Sequence, residues 1–155
     1  MKNAIVYSSA SGNTEKLAEA IKNKVGDVIY CGKVDDAALE ADVIYVGFWA
    51  MKFTCGPDIQ GFLEKLQGKK IFLFGTAGYD DTEEYFKSIL DAAKGNIPAS
   101  NTVIGEYMCM GKVSEAKQKS IKEMDEAKFN GMKAKLDKAE SHPNQDDLTK
   151  LTSLI

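Results

Sequence analysis

The sequence predicts an α/β fold: a doubly wound, five-stranded parallel sheet covered by helices on both faces. Three observations carry the prediction. Segments of β-forming residues alternate along the chain with segments of helical period. The strand-like segments, among them Ala4-Ile5-Val6-Tyr7 and Val43-Ile44-Tyr45-Val46, are apolar at consecutive rather than alternate positions, as strands buried on both faces are. At 155 residues and 44% hydrophobic composition, the chain is long enough for one well-formed core and short for two. One domain over residues 1–140 is expected, with 141–155 as a tail or a short helix.

Lys2 to Ser8 reads as the first strand. Thr14 to Val25 then repeats Leu17, Ile21 and Val25 at helical spacing, and Gly26 closes that helix. Asp27 to Cys31 makes a short second strand, and only a brief helix fits from Val34 to Ala41 before the third strand, Asp42 to Gly47. Pro57 and Asp58 suit the first turn of a helix carrying Ile59, Phe62, Leu63 and Leu66, with Gly68 at its end. Lys69 to Gly75 is the fourth strand. Asp80 or Asp81 is placed to cap a helix that turns Tyr85, Phe86, Ile89, Leu90 and Ala93 inward, with Gly95 stopping it. After the fifth strand, Thr102 to Tyr107, one last helix is expected from near Ser114 to near Glu140. Its apolar stripe is Ile121, Met124, Met132 and Leu136, with Phe129 beside it and Lys on the outer face. Gly131 weakens it by about 1 kcal/mol relative to Ala, and Ser141-His142-Pro143 ends it.

Twenty basic against 23 acidic residues give a formal charge of −3, so neither nucleic acid nor an anionic membrane is an expected partner. All 20 basic residues are Lys. A bound phosphate must therefore be held by amides, hydroxyls or Lys, since no guanidinium fork is available. Cys31, Cys55 and Cys109 are widely spaced and form no CxxC or Cys/His pattern, which suits reduced thiols in a cytoplasm. Met1 leads straight into a strand with no leader-like segment, and no apolar run reaches bilayer length.

Ligands of such sheets bind beyond the carboxyl ends of the strands, where strand order reverses, so three loops matter. The first, Ser8-Ser9-Ala10-Ser11-Gly12-Asn13-Thr14, opens directly into a helix. Its hydroxyls, backbone amides and helix dipole can ring an anion. It lacks the Lys of GxxxxGK[ST] and the spacing of GxGxxG, so nucleotide hydrolysis and ordinary NAD binding are disfavoured. A simple N-cap over a polar turn is the alternative. The second loop, after the third strand, begins Gly47-Phe48-Trp49-Ala50-Met51-Lys52-Phe53, and its lone Trp can stack on a planar ring or close a buried strand. The third, Gly75-Thr76-Ala77-Gly78-Tyr79-Asp80, is built of small residues that let backbone approach such a ring, or that simply make a tight turn.

The run Ile5 to Thr14, continuing to Leu17-Ala18, resembles the phosphate-loop signature of the flavodoxin family, and the similarity in strand count and length extends over essentially the whole chain. The resemblance implies strand order 2-1-3-4-5 and FMN as cofactor. It assigns the phosphate to Ser9, Ser11, Gly12, Asn13 and Thr14, and the flavin ring to Trp49 and Ala50 on one side and Thr76, Ala77, Gly78 and Tyr79 on the other. Met108-Cys109-Met110-Gly111-Lys112 is similar to a Cys-x-Gly-Lys segment of small flavodoxins, although a buried Cys and a turn Gly explain it equally. The function implied is cytoplasmic electron transfer between a reductase and an acceptor enzyme; the alternative is an FMN-dependent reductase of quinones, tetrapyrroles or similar conjugated substrates. No catalytic residue and no metal site is expected. One departure from the family stands out. The middle of the second loop, Ala50 to Thr54, has no glycine, so a left-handed backbone is expected to be costly there and redox behaviour nearer to that of a two-electron carrier follows.

Overall fold

The computed structural model describes residues 1–155. Its strands are β1 (Asn3–Tyr7), β2 (Val28–Gly32), β3 (Val43–Trp49), β4 (Lys70–Ala77) and β5 (Thr102–Met110). Its helices are α1 (Asn13–Lys24), α2 (Pro57–Lys65), α3 (Glu83–Lys94), α4 (Glu115–Met124), α5 (Glu126–Ala139) and α6 (Gln145–Ser153), with a 3-10 turn at Asp36–Glu40 between β2 and β3. The strands form one sheet in the order β2-β1-β3-β4-β5, every pair parallel. This is the doubly wound architecture that the sequence predicts, in the predicted order.

Each face of the sheet is buried against its own helices. On one side Ile44, Val46, Phe48 and Leu73 pack with Ile59, Phe62 and Leu63 of α2 and Ile89 of α3. On the other, Ile5, Tyr45, Phe72 and Phe74 pack with Leu17 and Ile21 of α1 and with Leu151, a fully buried residue of α6. Helix α6 starts on a capping box, in which the Asn144 side chain accepts from the Asp147 amide and Asp147 from the Asn144 amide.

The single long helix expected between Ser114 and Glu140 is two helices. Asp125 adopts an extended conformation (φ −157°, ψ 93°), ends α4 and caps α5 by accepting from the Lys128 amide at 3.0 Å. The apolar stripe fails with it. Met124 is 84% exposed, and of the four stripe residues only Leu136 is buried. Helix α4 buries no residue at all.

Helix α3 is capped by Thr82, whose hydroxyl accepts from the Tyr85 amide at 3.3 Å, which leaves Asp80 and Asp81 free for other work. Asp81 reaches across to Lys135 and Lys138 of α5, and Asp80 to Lys135. The two ammonium groups hold the Asp81 carboxyl down at about 2. A carboxyl lowered on folding contributes stability above its unfolded pKa of about 3.9. That contribution is lost as the pH falls through about 2. Asp81→Asn should therefore lower the unfolding free energy at pH 7 by about 1 kcal/mol or less, the water-screened scale of such pairs. In acid denaturation series the gap between the two proteins should close between about pH 4 and pH 2; a gap that persists below pH 2 would show that the Asn acts by another route.

Candidate functional site

Three backbone bonds at the carboxyl edge bring the strand-end loops together. The Ser8 amide donates to Gly47 O (3.0 Å), Ala50 to Thr76 O (2.8 Å) and Gly111 to Ala77 O (3.0 Å). Above this edge lies a cavity of about 240 Å³. Its lining holds two Lys, Lys112 and Lys117, and no carboxylate.

The first loop enters α1 through Gly12, which sits at φ 89°, a left-handed position that a side chain would strain. The turn holds itself open from within: Ser9 Oγ accepts from the amides of Gly12 (3.1 Å) and Glu15 (3.4 Å). Gly12 at the N-cap brings no side chain to α1, and apart from the Glu15 amide that Ser9 takes, the amides of Ser11, Asn13 and Thr14 donate to nothing in the chain. A helix N-terminus with unspent donors and its dipole facing a carboxylate-free cavity suits an anion. Of the expected loop residues, Ser11 and Asn13 line the cavity. Ser9 and Gly12 shape the turn instead, and Thr14 is fully buried, its hydroxyl 3.4 Å from that of buried Thr76.

Trp49, Ala50, Thr76, Ala77, Gly78 and Tyr79 all line the same cavity. Gly78 is small for a reason internal to the chain: a Cβ there would lie 2.1 Å from Val113 Cγ2 and 2.9 Å from Gly111 O. The glycine lets the loop after β4 close against the turn after β5. Tyr85 adds a third aromatic wall, and burial pushes the phenols of Tyr79 and Tyr85 up, so both stay neutral near pH 7.

The turn Gly111 to Ser114 is a further wall of the site, outside the three loops to which the sequence points. Asn13 Nδ2 donates to Lys112 O at 2.8 Å and so clamps this turn to the start of α1. The Gly111-Lys112 pair was the one available signal, and its partner Asn13 lies 99 residues away in sequence. Neighbouring Cys109 is buried, and burial pushes its thiol up, which leaves it inert.

A sequence model described as a flavodoxin domain matches residues 4–155. The chain belongs to the flavodoxin family. A flavodoxin-like domain-containing protein of Clostridium symbiosum (strain WAL-14163), BilS, is 33% identical over 96% of this chain and 90% of its own length. Among solved structures, the flavodoxin of Streptococcus pneumonia TIGR4 superposes with a TM-score of 0.59 at 19% identity, over 99% of this chain and 94% of that one. A flavoprotein of Lactobacillus acidophilus NCFM, solved in complex with FMN, superposes with a TM-score of 0.56 at 19% identity, over 70% of this chain and 93% of that one. These two likenesses concern the fold.

Within this family frame the loop after β3 departs from expectation. Lys52 and Phe53 both occupy the left-handed region, at φ 51° and 63°, inside a tight turn closed by Met51 N–H to Thr54 O (2.8 Å) and Thr54 N–H to Met51 O (3.0 Å). The missing glycine thus does not keep the backbone out of that region, and the redox expectation built on its absence loses its basis. The strain is about 1–2 kcal/mol per residue. The ring of Phe53, 69% exposed, stands edge-on to Tyr85 with centroids 6.2 Å apart and offsets part of it. Replacing Lys52-Phe53 by Asn-Gly, the preferred pair for two left-handed turn residues, should raise the unfolding free energy in urea titration by about 1 kcal/mol. A loss instead would mean that the Phe53–Tyr85 contact outweighs the strain.

Proposed function

We propose that this chain binds FMN noncovalently at the carboxyl edge of its sheet and carries electrons between a reductase and an acceptor enzyme. The observation that carries the reading is the joining, in one cavity, of unspent amides at the α1 N-terminus with a slot walled by Trp49, Tyr79 and Tyr85. In an arginine-free chain those amides, with the hydroxyl of Ser11, are the groups suited to a phosphate dianion, and membership of the flavodoxin family supports the same assignment.

The cofactor, when bound, supplies the one- and two-electron chemistry. The chain holds and surrounds it. Gly12 and Asn13 fix the loop, and the Thr14–Thr76 contact sets the floor. Trp49 and Tyr79, both in the lining, would supply apolar contact to a planar ring and limit the water around it. The amides of Gly78 and Tyr79 donate to nothing in the chain and are free for the ring's polar edge. No nucleophile–base pair lines the cavity, which favours a carrier over an enzyme with its own acid–base step.

Trp49 is the chain's single tryptophan, so its emission reports the site directly. Adding FMN to apoprotein should quench it saturably. Ser11→Ala should weaken FMN binding by about tenfold, one charge-assisted bond, and leave riboflavin binding nearly unchanged. Equal losses for both ligands would move the phosphate elsewhere.

The second reading, an FMN-dependent reductase, draws on the exposed Phe53 ring beside Tyr85, an apolar ledge that a conjugated substrate would also use. The flavin-loaded chain should oxidise NAD(P)H with a quinone only after a reductase is added. Sustained turnover by the purified chain alone would favour the second reading.

A further inference from the structure

Beside the cavity lies a second hollow of about 440 Å³ with no hydrophobic residue in its lining. It shares Ser11, Asn13, Lys112 and Ser114 with the first and continues to Ser141 and His142. His142 is the chain's only histidine. Its Nδ1 lies 2.6 Å from Oδ2 of Asp147, a buried carboxylate whose same oxygen also accepts from the Asn144 amide at 2.8 Å. A carboxylate accepts and does not donate, so Nδ1 carries the hydrogen and the ring's orientation is fixed. Nε2 has no partner within the chain.

His142 is also tied to the phosphate loop. The Lys112 amide donates to His142 O at 2.9 Å, and Lys112 O accepts from Asn13 Nδ2 at 2.8 Å. The charges facing the hollow come from every surrounding element: Lys16 of α1, Lys112 of the turn after β5, Glu115 of α4 and Glu140 at the end of α5, with Asp147 behind the ring. Lys112 pairs with Glu140 at 3.3 Å, and Lys16 and Glu115 are of opposite sign. These four wall charges cancel and Asp147 leaves one negative charge behind the ring, so protonation of His142 neutralises that charge and lifts a repulsion of anions from the hollow.

We infer that His142, oriented by Asp147, is a proton-dependent ligand for the phosphate end of the bound flavin: with Nε2 protonated it donates to a phosphate oxygen, and neutral it does not. The inference rests on the FMN reading above. Linkage makes it measurable from either side, because the factor by which protonation tightens FMN equals the factor by which FMN favours protonation.

As the sole histidine, His142 gives ring NMR signals that need no assignment by mutation. Titrated in the flavin-free, riboflavin-loaded and FMN-loaded chain, its midpoint should move up by about one pH unit with FMN and stay in place with riboflavin, corresponding to about tenfold tighter FMN binding by the protonated form. The phosphate monoester itself titrates near pH 6, so affinities are compared with His142→Gln, which cannot titrate. The variant should lose this component of the pH dependence for FMN and bind riboflavin as the parent does. If FMN quenches Trp49 but leaves the His142 midpoint where riboflavin leaves it, or if His142→Gln keeps the parent's pH dependence, the inference is wrong while the FMN reading stands. A chain that binds neither flavin overturns both.

Discussion

The placing of β1 between β2 and β3 is the constraint on which the rest depends. From β1 outwards the chain winds both ways, so α1 leaves for one face of the sheet and α2 for the other. Neither the loop after β1 nor the loop after β3 can cover the space between them, and a crevice remains at the carboxyl edge. Its floor is set by the parallel register, which pairs Tyr7 with Gly47 and Trp49 with Thr76 and carries the Thr14–Thr76 contact beneath the opening. Burial of both sheet faces fixes this geometry firmly, since slipping one strand by a residue would exchange its two apolar faces.

An arginine-free chain has to answer an anion with geometry rather than with a bidentate fork. The answer here is a left-handed Gly12, a Ser9 hydroxyl that takes two amides from inside, and amides turned outward at the helix start. Fixed dipoles of this kind need no reorganisation when a ligand arrives. Lys112 and Lys117 add diffuse positive potential at the rim, with Lys112 moderated by Glu140.

What the sequence made legible follows from how local each signal is. The strands and the first three loops were readable because consecutive apolar residues, a polar Ser/Gly/Asn/Thr run and a lone Trp are each contiguous. The turn after β5 was not, because its membership of the site depends on Asn13 reaching Lys112 from the far end of the chain. The break at Asp125 was hidden by good helix formers on both sides: only tertiary context selects Asp as a cap over Asp as a surface residue of one long helix. Lys52 and Phe53 ran against propensity outright, since neither residue type favours the left-handed region and the Phe53–Tyr85 contact that helps hold it is non-local. The Lys52-Phe53 turn lies beside the cavity, where Phe53 stands against its Tyr85 wall and where local rules and the needs of a site most often part.

The uneven anchoring of the elements around the cavity bears on how it opens. The loops after β1, β3 and β4 are bonded directly to the sheet edge. Helix α4, whose Ser114 cap and Lys117 line the cavity, buries no side chain and packs chiefly on α5. Helix α5 in turn is held by Leu136 and Ala139 and by water-exposed ties from Lys135 and Lys138 to Asp81. Local opening free energy follows buried apolar contact, so this helical pair opens at a smaller cost than any strand beside it. The cavity therefore has four firmly bonded walls, the clamped turn after β5 among them, and one soft one. The soft wall carries Lys117, whereas Lys112 stays on the turn that Asn13 and Ala77 clamp, so a fluctuation that admits a ligand from that side moves one positive charge away from the cavity and leaves the other in place.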